Sequence, residues 1–123
     1  MINRRKIMAF FSTAALGLSF VAGPASADGH GGWTIGFSQD TMDHPWRAYM
    51  VTSAEAQAAK YADIKEFIYT DAGGSNEKQI ADVEDLISRG VDLIMMSPRE
   101  AQALVPAVEA IKAAGIPLVV LDR

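Results

Sequence analysis

Apolar and polar positions along the chain fall into blocks of two periods, and the blocks take turns. Trp33 to Ser38 (WTIGFS) is a compact β-prone run. Asp43-His44-Pro45 then supplies a polar cap residue and a proline at the first helical position, the pattern of a helix start. Apolar or small residues follow at Trp46, Met50, Ala54, Ala58 and Tyr61, the spacing of one buried helical face. The unit recurs: Ile64 to Thr70 predicts a second strand, and Ser75 or Asn76 caps a helix whose apolar face is Ile80, Val83, Leu86 and Ile87. Arg89 in the last turn and Gly90 beyond it suit a helix C-terminus. Val91 to Met96 predicts a third strand, apolar throughout apart from Asp92. A third helix runs to Ala114. Because Pro106 cannot sit deep in a helix, either a separate turn covers Glu100 to Leu104 or the proline occupies the first turn. Gly115 closes this helix, and Pro117 to Leu121 predicts a fourth strand, buried on both faces by its composition.

Strands alternating with helices imply parallel strands and right-handed crossovers, so the fold class is α/β: an open parallel sheet flanked by helices, with strand order 2-1-3-4. In such sheets a ligand binds outside the carboxyl ends of the strands, where strand order reverses between strands 1 and 3. The segments beyond those ends are Gln39 to Trp46, Asp71 to Ser75, Ser97 to Glu100, and Asp122 with Arg123.

The N-terminus changes the picture of where the protein works. Arg4, Arg5 and Lys6 precede an apolar run from Ile7 to Val21. Gly23-Pro24 breaks that run, and Ala25-Ser26-Ala27 presents small residues for cleavage before Asp28. This reads as a signal peptide over residues 1–27, too short and too interrupted by Ser12, Thr13 and Gly17 for a transmembrane span, and it predicts export to the periplasm. Asn3-Arg4-Arg5-Lys6 also looks like a loose twin-arginine motif, so both export routes stay open. The chain has no cysteine, which excludes a lipid anchor and disulfides and predicts a mature chain that is not membrane-anchored. Asp28 to Gly32 is a flexible lead in which His30 is solvated rather than a metal ligand. Residues 33–123 then form one domain. Removing residues 1–27 takes away three cations and no acid, so the formal net charge moves from -4 to -7. An acidic chain lacks the basic surface that displaces counterions from phosphates, which argues against nucleic acid as a partner.

FSQDTMDHPWR, then a helix, then ISRGVDLIMMSP, then KAAGIPLVVLDR is similar to the type I periplasmic binding proteins of the ribose and galactose group, over Trp33 to Arg123. Ser-Gln followed by Trp-Arg in the first loop most resembles members that bind hexofuranoses. The resemblance implies a type I lobe of the solute-binding component of an ABC importer. It implies a monosaccharide ligand, either a pentose, a hexose or a hexofuranose, with permease subunits as partners. It implies no enzymatic activity, no cofactor and no metal. Members close two lobes on the ligand by a hinge, so the chain reads as an N-terminal lobe whose second lobe is missing, expected to bind sugar weakly by itself.

The side chains at the crevice suit a sugar, which offers hydroxyls that donate and accept and C–H surface on its ring. Asp122 is placed to accept from two neighbouring hydroxyls, and Arg123 to donate in fork geometry, as charge-assisted bonds; the bland alternative is that Asp122 caps a following helix and Arg123 is surface. Trp46 is either a stacking platform or ordinary core beside Met50 and Ala54, and Arg47 reaches hydroxyls from the helix N-terminus. Asp40, Asp43 and His44 share that loop, where relatives carry uncharged polar groups, and Asp43 or His44 serves as the helix cap. Ser97 occupies a strand end where relatives carry asparagine, which leaves a shorter reach, a bridging water or no contact.

Other functions on the same architecture lack their residues here. A nucleotide-dependent enzyme needs a glycine-rich turn after strand 1, where the chain has Ser38-Gln39-Asp40-Thr41, and Gly73-Gly74 after strand 2 reads as a turn. A repressor-type sensor domain shares the fold but has no export signal. A binding protein that captures a polyol or a signalling molecule for a chemoreceptor is the nearest competitor, and no residue separates it from transport.

Overall fold

The computed structural model describes residues 31–122. The expected signal peptide over residues 1–27, His30 and Arg123 lie outside the described residues. Seven elements follow in strict alternation: β1 (Trp33–Gln39), α1 (Pro45–Ala58), β2 (Ile64–Asp71), α2 (Asn76–Ser88), β3 (Leu93–Ser97), α3 (Val105–Ala113) and β4 (Leu118–Val120). All strand pairs are parallel and the order across the sheet is β2-β1-β3-β4, as the alternating pattern predicts.

Local chemistry explains the element ends. His44 is the N-cap of α1, its Nδ1 accepting from Trp46 N at 3.2 Å, and Pro45 follows at the first helical position, where its missing N–H costs nothing. Ser75 caps α2, its Oγ accepting from Lys78 N at 3.1 Å. Both alternatives at Pro106 hold together: residues 101–104 form turns, and Pro106 lies in the first turn of α3. Asp92, the one polar residue in the third apolar run, stays out of β3. Its Oδ2 instead accepts from Thr34 N at 2.8 Å and ties the start of β1 to the segment entering β3.

α2 and α3 share one face of the sheet. Val83 and Leu86 of α2 and Ala107 and Ile111 of α3 bury Ile94 and Met96 of β3 into a single core with Val91 and Leu104. Gly36 sits where β1 runs under α2; a Cβ there would lie 3.1 Å from both Leu86 methyl carbons, so the absent side chain lets the helix seat on the strand. α1 covers the opposite face over β1 and β2, where Phe37 is fully buried and meets the Phe67 ring edge-on at a centroid distance of 6.3 Å.

Two packing expectations fail. The buried face of α1 carries Arg47, Val51 and Ala58 rather than Trp46 and Tyr61, which are exposed. Residues 47, 51, 54 and 58 are spaced by 4, 3 and 4: the stripe keeps Ala54 and Ala58 of the expected face but starts one position along, at Arg47 and Val51 instead of Trp46 and Met50, because α1 turns a cation and not an indole toward the strand ends. β4 is not buried on both faces: Val119 and Val120 are 42% and 50% exposed, because the strand is short and is the outer strand of the sheet among the described residues.

Candidate functional site

At the carboxyl ends of β1 and β3, where the order of the sheet reverses, the chain collects polar side chains that are buried rather than solvated. Ser38, Gln39, Asp40, Arg47, Gln79 and Ser97 make up this group. Buried polar groups are tolerated only when partnered, and an unpaired buried charge is worse still. The partners are therefore the content of the site.

Arg47 is at its centre. The first turn of α1 aims its guanidinium back over the sheet, where Nη1 donates to Asp40 Oδ1 at 2.6 Å and to Ser97 Oγ at 3.2 Å. Gln39 Oε1 lies 3.5 Å from the same nitrogen, a third acceptor for two N–H bonds, so the two shorter contacts carry the interaction. The other terminal nitrogen, Nη2, stands 3.5 Å from Asp122 Oδ2. One guanidinium thus spans the loop after β1, the end of β3 and the segment after β4. Gln39 supports it from below: its Nε2 donates to Arg47 O at 3.3 Å, while its Oε1 accepts from Asp40 N at 3.0 Å.

The loop between β1 and α1 is pinned at several points. Asp40 Oδ1 accepts from Thr41 N at 2.7 Å, and Asp40 O accepts from Gly74 N at 2.7 Å. Gly74 belongs to the β2–α2 turn and has φ 77°, a left-handed conformation that glycine adopts without a Cβ penalty. Asp71, at the end of β2, accepts through Oδ1 from Met42 N at 3.2 Å and Gly73 N at 2.9 Å, which joins the same two loops. These bonds fix the first residues past β1.

Of the residues named from the sequence, Asp40, Arg47, Ser97 and Asp122 come together. Asp122 is the only described non-glycine residue with positive φ, 76°, a region that aspartate tolerates better than most residues and that strand ends and binding sites use to re-aim a side chain. Asp43 and His44 lie at the exposed rim of the same loop, and His44 is committed to the helix cap. Trp46 is 60% exposed beside them in the first turn of α1 and is not part of the core. Arg123 lies outside the described residues.

Gln39 and Asp71 fall in the segments selected beyond the strand ends but were not singled out as site residues, and Gln79 was missed altogether. For Gln79 a signal existed: it stands four residues before Val83 and seven before Leu86, a polar residue on an otherwise apolar helical stripe. Among the described residues, no group of three or more His, Cys, Asp or Glu is arranged to hold a metal ion, and no helix is long and apolar enough to cross a membrane.

Residues 35–123 match the family model of the periplasmic binding protein domain. The ribose import binding protein of Bacillus subtilis is 35% identical over 102 residues, covering 83% of this chain and 33% of that protein. The galactofuranose-binding protein of Escherichia coli K12 is 33% identical over 90 residues, covering 73% of this chain and 28% of that protein. Among solved structures, an ABC transporter solute binding protein from Bacillus halodurans with bound myo-inositol superposes with a TM-score of 0.71 at 34% identity, over 78% of this chain and 33% of that one. The chain spans about a third of the length of these relatives. The matched region takes in every helix and strand except the first two residues of β1, together with both ends of the Arg47 network, and the chain belongs to the periplasmic binding protein domain family.

Proposed function

We propose that this chain is the first lobe of an exported solute-binding protein that captures a monosaccharide or a cyclic polyol and presents it to an ABC importer. The observation that carries the reading is the buried Arg47, held by Asp40 and Ser97 on one nitrogen while the other faces Asp122 across the crevice. A guanidinium fixed in this way is a preorganised donor, and a ligand hydroxyl that enters between Arg47 and Asp122 finds a donor and an acceptor whose conformational cost is already met. Trp46 supplies an apolar plane for a ring face, and Asp43 and His44 supply rim polarity. Arg123, next to Asp122, adds a second fork of donors. The site needs no cofactor and no catalytic group.

The relatives, which include a ribose, a galactofuranose and a myo-inositol binder, support a neutral polyhydroxylated ligand of five or six carbons. In this reading residues 1–27 direct export and are removed after Ala27, and a second lobe in the longer protein closes over the crevice and excludes water. The test is calorimetric titration of the full-length mature protein with D-ribose, a galactofuranoside and myo-inositol; its intact mass should show a chain beginning at Asp28. One of the three should bind, and Asp122→Ala should weaken that binding about tenfold or more, as expected when a buried donor loses its charged acceptor. Tight binding that is indifferent to Asp122→Ala would move the site elsewhere. Binding to none of the three, by a protein that is folded, would remove the sugar assignment.

A further inference from the structure

Gln79 is fully buried on the sheet face opposite Arg47, and every polar atom of its carboxamide is used. Its Nε2 donates to Ser97 O at 2.9 Å and to Ser38 Oγ at 3.3 Å, with Ser38 O at 3.5 Å, and its Oε1 accepts from Arg99 N at 3.0 Å. One side chain of α2 therefore joins the end of β1, the end of β3 and the beginning of the β3–α3 loop. The position is the one where the sheet loses its own means of holding these strands. Gln39 with Ser97 is the last paired register between β1 and β3, and the next residue, Pro98, has no N–H to offer.

Ser97 is consequently held from both sides of the sheet. Its carbonyl is fixed by Gln79 from the α2 face, and its Oγ takes the Arg47 bond on the α1 face. We propose that Gln79 is a positioning residue for the crevice. It sets the place of Ser97, Ser97 orients the guanidinium of Arg47, and that orientation keeps Nη2 turned toward Asp122. The inference rests on the reading of this crevice as the ligand site, but the mechanical link from Gln79 to Arg47 is a separate claim and has a separate readout.

The test is Gln79→Met in the full-length mature protein. Methionine keeps the length and fills the same space but removes both donors and the acceptor. The ¹⁵N signals of the Arg47 side chain should shift, and the protection of the Arg99 amide against hydrogen exchange should fall. Affinity for whichever of D-ribose, a galactofuranoside or myo-inositol the parent binds should fall about tenfold or more at a temperature where both proteins are fully folded. A packing role alone would lower the melting temperature and leave the Arg47 signals and the affinity at parent values, and that result overturns the proposal. If Gln79→Met does not fold, Gln79→Glu decides by the same signals, since the carboxylate keeps the acceptor for Arg99 N and lacks the donors for Ser97 O and Ser38 Oγ. If the parent binds none of the three probes, the ligand reading fails while the Arg47 signals still decide the link.

Discussion

Leu86, Ile94 and Met96 are buried to within 1% on the face of the sheet that carries α2 and α3, whereas Trp33, Tyr61 and Val119 stand about half exposed with α1 on the other face. Two helices close the first face with aliphatic side chains, and a glycine in β1 is shaped to receive one of them. The second face has one helix, which spends part of its inner stripe on Arg47. It leaves a groove of about 210 Å³ lined by Ile35, Ala54, Gln57, Ala58, Tyr61, Ile64, Phe67 and Met95. The difference shows how the fold separates its duties. The α2–α3 face supplies cohesion through non-directional burial, while the α1 face accepts looser packing to hold a charge at the strand ends, where only directional bonds keep it in place.

The division breaks most visibly under substitution. Leu86→Ala should destabilise the full-length protein by about 4 kcal/mol, through lost transfer energy and a cavity against Gly36, with ligand affinity nearly unchanged; urea denaturation with titration of the folded protein measures both. Arg47→Met should destabilise by about 3 kcal/mol, because Asp40 is left as a buried charge without its partner, and it should also abolish ligand binding. Adding Asp40→Asn to Arg47→Met should cost less than the two single effects added together, because the pair acts as a unit. Equal loss of binding in Leu86→Ala and Arg47→Met would mean that the two faces are not separable.

The smallest effect lies on neither face. Glu77, exposed in the first turn of α2, has its carboxyl held below the ordinary value of 4.5 by a hydrogen bond from its own backbone N–H and then by one from the Ser75 hydroxyl. A folded-state value below the unfolded one gives stability that is present above the unfolded value and disappears as pH falls through the folded one. Thermal melts of Glu77→Gln should therefore converge with the parent in acid below the carboxylate range and fall slightly under it at neutral pH. A difference that stays constant with pH would assign the effect to something other than this carboxylate.

Much of the framework was legible in the order of residues because its signals are local. Proline after a polar residue opens α1, Ser75 opens α2, and β-prone runs between helical periods imply parallel strands in the order 2-1-3-4. Half of the site was legible for a related reason: the rule that ligands sit beyond the carboxyl ends of strands pointed to the segments that hold Asp40, Ser97 and Asp122, and Arg47 was placed beside them from the N-terminus of the first helix. The rest was not. Trp46 and Arg47 are neighbours that differ by about 100° around the helix axis, and hydropathy alone favours the indole as the inward residue. Gln79 reads as an ordinary polar residue until the two strands that it joins lie side by side.

By itself, then, the sequence determined the alternation of strands and helices, their caps and breaks, and the segments that gather at one end of the sheet. These follow from backbone geometry and from periodicities that span only a few residues. Only the tertiary structure decided that Arg47 turns inward, that it meets a serine 50 residues away, and that Gln79 grips the same serine from beneath. Those outcomes depend on which surfaces are pressed together, and a buried charge can settle only where distant parts of the chain deliver its partners.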